Sequence, residues 1–367
     1  LVALRAFQGL SAAFMSPAAL SIVLVTFRDG LERNRALAYW ALVASSGGAV
    51  GLLLGGLLTE HLGWRWNFFI NIPIGIAVAV LISRFVPAHN ADETAPKKGL
   101  DISGALLITT SLMAQVFAFS QASQWGWLDP RTLGIIGGAA LLLGAFLYNE
   151  SRVKHPLMPL SIFKIRNVTG GNMIMAPLYA TLLGMFLLLS LYIQNILHFS
   201  PIQTGLAFLP FPVVLGFVTT RIPKLIARFG FRRLLIIGPL LVAISLFLLS
   251  RLQADSSYVI DVLPAMLLMP IGIGMTIMPT IAAATSGVRR QDSGLASGLI
   301  TTSQQMGGAL GLAILSGIAA SVAAGAFRFG PEAAVVRGYD AAFLTAMFIM
   351  IGASIIAFLV IRQQKTA

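Results

Sequence analysis

The chain has 367 residues, 57% of them hydrophobic and only 10% charged, with a mean hydropathy of +0.86 and a formal net charge of +12. Soluble domains carry about 25% charged residues, so this composition excludes an ordinary soluble fold and points to the bilayer. Cysteine is absent and His61, His89, His155 and His198 stand singly, which excludes disulfides and argues against thiolate or histidine metal centres. The basic residues lie in short connections between apolar runs rather than on a soluble face, so nucleic acid is not an expected partner.

Apolar stretches near the roughly 20 residues needed to span a bilayer are read at 1–27, 36–60, 66–86, 102–122, 131–149, 168–196, 202–220, 234–253, 259–285, 294–324 and 341–361. Leu1 already lies inside the first of these, with no signal-peptide pattern, so the chain reads as lacking its natural beginning. Arg5 is the one basic residue within a span; it either snorkels to the surface or lines a polar cavity. The second span carries Gly47, Gly48, Gly51, Gly55 and Gly56, a smooth stripe where another backbone can approach closely. Such a stripe would weaken a helix in water, where each Gly costs about 1 kcal/mol against Ala. It ends near Trp64-Arg65-Trp66, amphipathic rings suited to headgroup depth.

Residues 167–220 contain no Asp, Glu, Lys or Arg, and Ser200-Pro201 marks the turn that divides them into two spans. Nineteen of the 25 Lys and Arg fall in alternate connections, those near 28–35, 84–98, 152–166, 221–233, 289–290 and the C-terminus. Arg65, Arg131, Arg251, Arg328 and Arg337 fall in the other set, which by the positive-inside rule is external, leaving the C-terminus cytoplasmic. Asp101, Asp261 and Asp340 are each expected to cap a helix start, and Glu60 to face external water.

An internal repeat relates the two ends of the chain. Gly47-Gly48-Ala49-Val50-Gly51 recurs as Gly307-Gly308-Ala309-Leu310-Gly311, each preceded by a proline in the previous span (Pro17 or Pro279) and a basic connection. Parallel halves of this kind are a transporter architecture. The second glycine span is fifth of six, whereas the first is only second in the chain, so matched halves require three more helices before Leu1. The expected organisation is a partial N-terminal bundle at 1–86 (the last three of six helices), a cytoplasmic linker at 87–101, an extra two-helix hairpin at 102–149, a second linker at 150–167 and a six-helix C-terminal bundle at 168–362.

Four stretches carry a resemblance to a known family: Arg5-Ala6-Phe7-Gln8-Gly9 with Pro17, the glycine run at 47–56, Trp64-Arg65-Trp66-Asn67 through Asn71-Ile72-Pro73-Ile74-Gly75, and Arg228-Phe229-Gly230-Phe231-Arg232-Arg233. Nearly end to end, the sequence resembles the major facilitator superfamily, specifically its fourteen-helix drug:proton antiporter branch. It departs from that pattern at Leu52, where the antiporter motif has Pro, and at Gln304-Gln305, where Arg-Gln is common. The resemblance implies an all-α polytopic membrane protein of the major facilitator fold, with about eleven of fourteen transmembrane helices present. It implies a proton-coupled secondary transporter in the inner or plasma membrane, exporting amphipathic or cationic small molecules by alternating access.

Arg5 would then tune proton uptake. Gly47, Gly51, Leu52, Gly55, Gly56, Gly307 and Gly311 would form a helix-packing gate, and Arg228, Gly230, Arg232 and Arg233 a cytoplasmic latch. Phe14, Met15, Tyr179, Gln194 and Asn195, with Met173, Met175, Phe186 and Tyr192, are candidates to line a substrate cavity, because Met and aromatic groups repack readily around varied ligands. The expected partners are a small-molecule substrate, protons and lipid. No cofactor beyond the proton gradient is implied, and no periplasmic adaptor is identified. A proton-coupled transporter of one metabolite, or a membrane sensor or scaffold without transport, are the alternatives. No nucleophile–base pair or phosphate-binding loop suggests an enzyme or an ATP-driven pump.

Overall fold

The computed structural model describes residues 2–27, 31–85, 101–153, 156–285, 288, 293–326 and 330–362. For several residues in the first two helices, Pro17, Gly48 and Leu52 among them, only the backbone is described, and the expected linker at 87–101 lies outside the description apart from Asp101. All regular structure among the described residues is helical: α1 (Val2–Thr26), α2 (Leu31–His61), α3 (Trp66–Phe69), α4 (Asn71–Phe85), α5 (Ile102–Trp125), α6 (Pro130–Arg152), α7 (Arg166–Asn195), α8 (Pro201–Phe208), α9 (Pro210–Phe229), α10 (Phe231–Leu249), α11 (Leu263–Thr285), α12 (Ser293–Gly325) and α13 (Pro331–Val360). A 3₁₀ turn (Leu160–Lys164) precedes α7, and a π turn (Tyr258–Val262) precedes α11.

Among the described residues nine helical segments are long and apolar enough to cross a membrane, in register with the third to eleventh expected spans. The first two expected spans coincide with α1 and α2, helices of 25 and 31 residues. Several helices outrun their apolar windows. The expected basic loop at 221–233 shrinks to Gly230 (φ +74°), because α9 continues through Arg221, Lys224 and Arg228. Long cationic side chains reach water while their stems stay on apolar surface, so charge does not end a membrane helix. The last helix starts at Pro331, with Glu332 in its first turn, ten residues before the expected boundary.

Helices α7 and α9–α13 bury one continuous apolar core that includes Met185, Tyr192, Leu246, Met269, Leu315 and Phe343. Small residues bring its backbones together. A methyl group at Gly238 would fall 2.8 Å from the Gly272 carbonyl oxygen of α11, and one at Gly308 would meet Leu183 of α7. Polar groups are spent between helices: Ser303 donates to the Asn172 side chain (2.8 Å) and Ser354 to the Ile236 carbonyl (2.8 Å). Asn167 both donates to and accepts from the backbone of Arg362 (3.0 Å each), tying the start of α7 to the end of α13.

Helices α5 and α6 pack against each other, joined where Ser111 donates to the Ala139 carbonyl (2.8 Å). Asp101 caps α5, as expected, accepting from the Gly104 N–H (2.8 Å), the Ser103 hydroxyl (2.7 Å) and the Asn149 amide (2.7 Å). These donors, the Gly104 N–H first, hold its carboxyl below the usual 3.8 despite burial. The hairpin leans on α12, where Trp127 donates to Ser321 (3.3 Å) and its ring covers Gly317.

Candidate functional site

Helix α2 meets the C-terminal helices at α8 and α9. A close approach falls at Gly56, which is buried: a Cβ there would lie 2.8 Å from the Pro201 carbonyl oxygen and 3.2 Å from the Ile202 Cα. One turn on, the exposed Glu60 accepts from the Ser200 hydroxyl (3.4 Å) and the Ile202 N–H (3.3 Å) at the start of α8, where a helix N-terminus favours a carboxylate. Glu60 therefore ties two groups of helices together; as an expected water-facing residue it had no assigned partner. Ser200 and Gln203 close a capping box that starts α8, and Pro210 restarts the chain as α9 one residue beyond Leu209.

Beside this contact lies a cavity of about 640 Å³. Gly51, Gly55, Gly56 and Thr59 of α2 and Asn67 of α3 form one wall; Phe186, Ser190 and Gln194 of α7 with Pro201, Thr204, Gly205 and Phe208 form the other. The volume is within the range of about 300–1,000 Å³ typical of small-molecule sites. Its polar groups are partly satisfied among themselves: Asn67 donates to Thr59 (2.7 Å) and Gln194 to Ser190 (3.0 Å). Phe186 is held by Phe208 and Phe211, with ring centroids 5.3 and 5.0 Å away, so the aromatic wall is braced by the core behind it.

The expected site residues divide among several places. Of the cavity candidates, Phe186 and Gln194 line this space. Met175 and Tyr192 lie in the core, Tyr179 packs half-buried against it, and Phe14, Met15, Met173 and Asn195 are exposed elsewhere. Thr59, Asn67, Ser190, Thr204 and Gly205 were missed; the spacing of Phe186, Ser190 and Gln194 at i, i+4 and i+8 is the signal that could have added Ser190.

The two glycine motifs occupy different environments. Gly307 and Gly311 press α12 onto the backbone of Ala176 and Ala180 in α7, within the C-terminal helices. Gly47 and Gly51 have no atom within 4 Å of an added Cβ, and Gly55 meets only Asn67 at 3.9 Å. Among the described glycines of the first stripe, Gly56 is the one that touches the C-terminal helices closely. Leu52 lies outside the described side chains. Arg5 is exposed; its guanidinium donates to Gln8 (2.7 Å) and lies 4.6 Å from the Phe68 ring centroid, so its described partners include no acid. In the expected latch, Arg232 donates to the Phe358 carbonyl at the end of α13 (2.7 Å), Arg228 lies over the Phe229 ring (5.2 Å), Gly230 forms the joint, and Arg233 is exposed.

Asp340 corrects the sequence reading. With α13 starting at Pro331, Asp340 is its tenth residue and caps nothing; its Oδ1 is buried without a hydrogen-bond partner. The Gly330-Pro331-Glu332 start signal was present in the sequence but obscured by the polar first turns. Asp261 does satisfy a backbone N–H, that of Ser257 (2.7 Å), but within the π turn.

A set of long apolar helices with a mixed aromatic and polar cavity open between two helix groups defines a multi-pass membrane protein. The sequence profile of the Major Facilitator Superfamily matches residues 1–312, and the chain belongs to that superfamily. It is 36% identical over 373 residues to the puromycin resistance protein pur8 of Streptomyces alboniger, covering 99% of this chain and 73% of that protein. The tetracenomycin C resistance and export protein of Streptomyces glaucescens is 35% identical over 323 residues, covering 88% of this chain and 59% of that protein. The multidrug resistance protein Stp of Mycobacterium tuberculosis is 30% identical over 317 residues, covering 86% and 58% respectively. The chain thus spans between 58% and 73% of the length of these three relatives.

Proposed function

We propose that this protein is a proton-coupled secondary transporter that exports amphipathic or cationic small molecules by alternating access, with the cavity between α2–α3 and α7–α8 as its substrate site. The observation that carries the reading is the position of that cavity, at the contact of α2–α3 with α7–α8. Its chemistry suits the substrate class: braced Phe186 and Phe208 offer faces to apolar or cationic rings, and Thr59, Ser190, Gln194 and Thr204 offer neutral polar contacts. Relatives whose names record puromycin resistance and tetracenomycin C export support the same direction of transport.

Within this reading the protein sits in the inner or plasma membrane with its C-terminus in the cytoplasm, Arg5 tunes the proton site, and the α2 stripe from Gly51 to Gly56 is the moving seam. Arg228, Gly230, Arg232 and Arg233 hold the cytoplasmic ends of α9, α10 and α13 in register. Proteoliposomes containing the native gene product that carries this chain test the function. Adding an amphipathic cation such as ethidium is expected to dissipate an imposed pH gradient, and Phe186→Ala with Gln194→Ala is expected to weaken that response about tenfold or more. Uptake or efflux indifferent to the pH gradient would contradict proton coupling.

A further inference from the structure

We propose that the junction between the start of α5 and the end of α6 is a binding site for a hard divalent cation, Mg²⁺ or Ca²⁺, held by the carboxylates of Asp101 and Glu150. Glu150 lies in the last turn of α6 and is 4% exposed; Asp101, the residue that caps α5, is 6% exposed. The two carboxylates close over Gly104, on the side where it carries no Cβ. A Cβ there would press on Asp101 Oδ2 and lie 3.0 Å from Glu150 Oε1. Two buried acids on two helices are thus directed at one gap.

Their hydrogen bonds are unequal. Asp101 accepts from the Gly104 N–H, the Ser103 hydroxyl and the Asn149 amide, and these donors favour its anion. Glu150 Oε2 accepts from the Met158 N–H (3.0 Å), in the chain that leads to α7. Its Oε1 is buried, and among the described residues no donor reaches it. A buried carboxylate oxygen that faces a second carboxylate needs positive charge, and buried charges are paired or coordinate metals. Among the described residues no basic group acts on Asp101, and Arg152, two residues beyond Glu150, lies over the Tyr148 ring (5.6 Å).

The donor set selects the ion. Beside the two carboxylates stands the Asn149 amide oxygen, which the Ser103 hydroxyl approaches only to 3.4 Å. Among the described residues no group of three acidic or histidine side chains forms, so the site is two carboxylates, neutral oxygens and water. Mg²⁺ and Ca²⁺ take oxygen ligands and keep waters, whereas Zn²⁺ favours nitrogen and sulfur. Ser103 is exposed and Asn149 half-buried, which leaves a wet side for the ion and its waters to enter. A proton shared by the two acids would satisfy Oε1 but use neither the Asn149 oxygen nor that open side. A bound cation fastens the start of α5, the end of α6 and the Met158 segment at one point.

The test uses the native gene product that carries this chain, purified in detergent and stripped of divalent cations. Mn²⁺, a paramagnetic probe for such oxygen sites, is titrated at neutral pH and followed by electron paramagnetic resonance. The native protein is expected to hold a Mn²⁺ that Mg²⁺ or Ca²⁺ displaces, and its affinity to fall about tenfold or more in Glu150→Gln and in Asp101→Asn. The native melting temperature is expected to rise with Mg²⁺ or Ca²⁺. That of Glu150→Gln, whose amide can donate to Asp101, is expected not to respond. A native protein without a displaceable Mn²⁺, or one that binds it no better than folded Glu150→Gln, overturns the proposal. A melting temperature that ignores both cations and falls with rising pH in the native protein alone assigns the gap to a shared proton, and overturns it too.

Discussion

Replacing Gly311 with leucine is expected to destabilise the C-terminal helices by roughly 3 kcal/mol, the upper end of what overpacking costs. Even a methyl group there would fall within contact of the Cα and Cβ of Ala180, so the whole of α12 would have to move off α7. The displacement would spread, because α12 also carries α13 at Gly338–Ala319 and the hairpin at Gly317–Trp127. The corresponding change in the first motif, Gly51→Leu, sets its Cβ where no atom lies within 4 Å, beside the cavity, and should stay within about 0.5 kcal/mol of the parent. Thermal melting of both variants in the same detergent checks the contrast; equal shifts would show that the two glycine copies share one environment.

A leucine at Gly56 is expected to act differently, by wedging α2 away from α8. Its Cβ would press on the Pro201 carbonyl and the Ile202 Cα, which are backbone atoms and cannot turn aside. The C-terminal core does not include Gly56, so folding of α7 and α9–α13 should survive. Closure of the seam should not: if the wedge costs about 1.4 kcal/mol or more in the closed state, transport falls at least about tenfold. Efflux measured against melting temperature separates the two effects. Unchanged efflux with a well-folded variant would mean that α2 and α8 need not come this close.

The helices were legible because a bilayer demands long apolar runs, and composition alone exposes them. The turn at Ser200-Pro201 and the Asp101 cap were also readable, since each depends on chemistry within a few residues. Where polar side chains snorkel, composition stops marking helix ends. That is why Gly230 replaced an expected loop and why Asp340 was placed at a cap instead of within α13. Tertiary pairings were not readable at all. The partner of Arg232 is a carbonyl 126 residues away and that of Glu60 is 140 residues away, and no local pattern announces either. The glycine repeat is visible in the sequence as one kind of surface; the packing shows Gly307 and Gly311 pressed against α7 while Gly47 and Gly51 meet open space.

Movement at the α2–α8 contact is the claim on which the transport reading stands. Glu60→Cys with Ser200→Cys introduces two thiols into a stretch that has no cysteine of its own, at positions whose native side chains lie 3.4 Å apart. Bridging them with a short, reducible bifunctional reagent in proteoliposomes is expected to stop ethidium efflux, and reductant to restore it. Efflux at the native rate with the bridge fully formed would contradict the account.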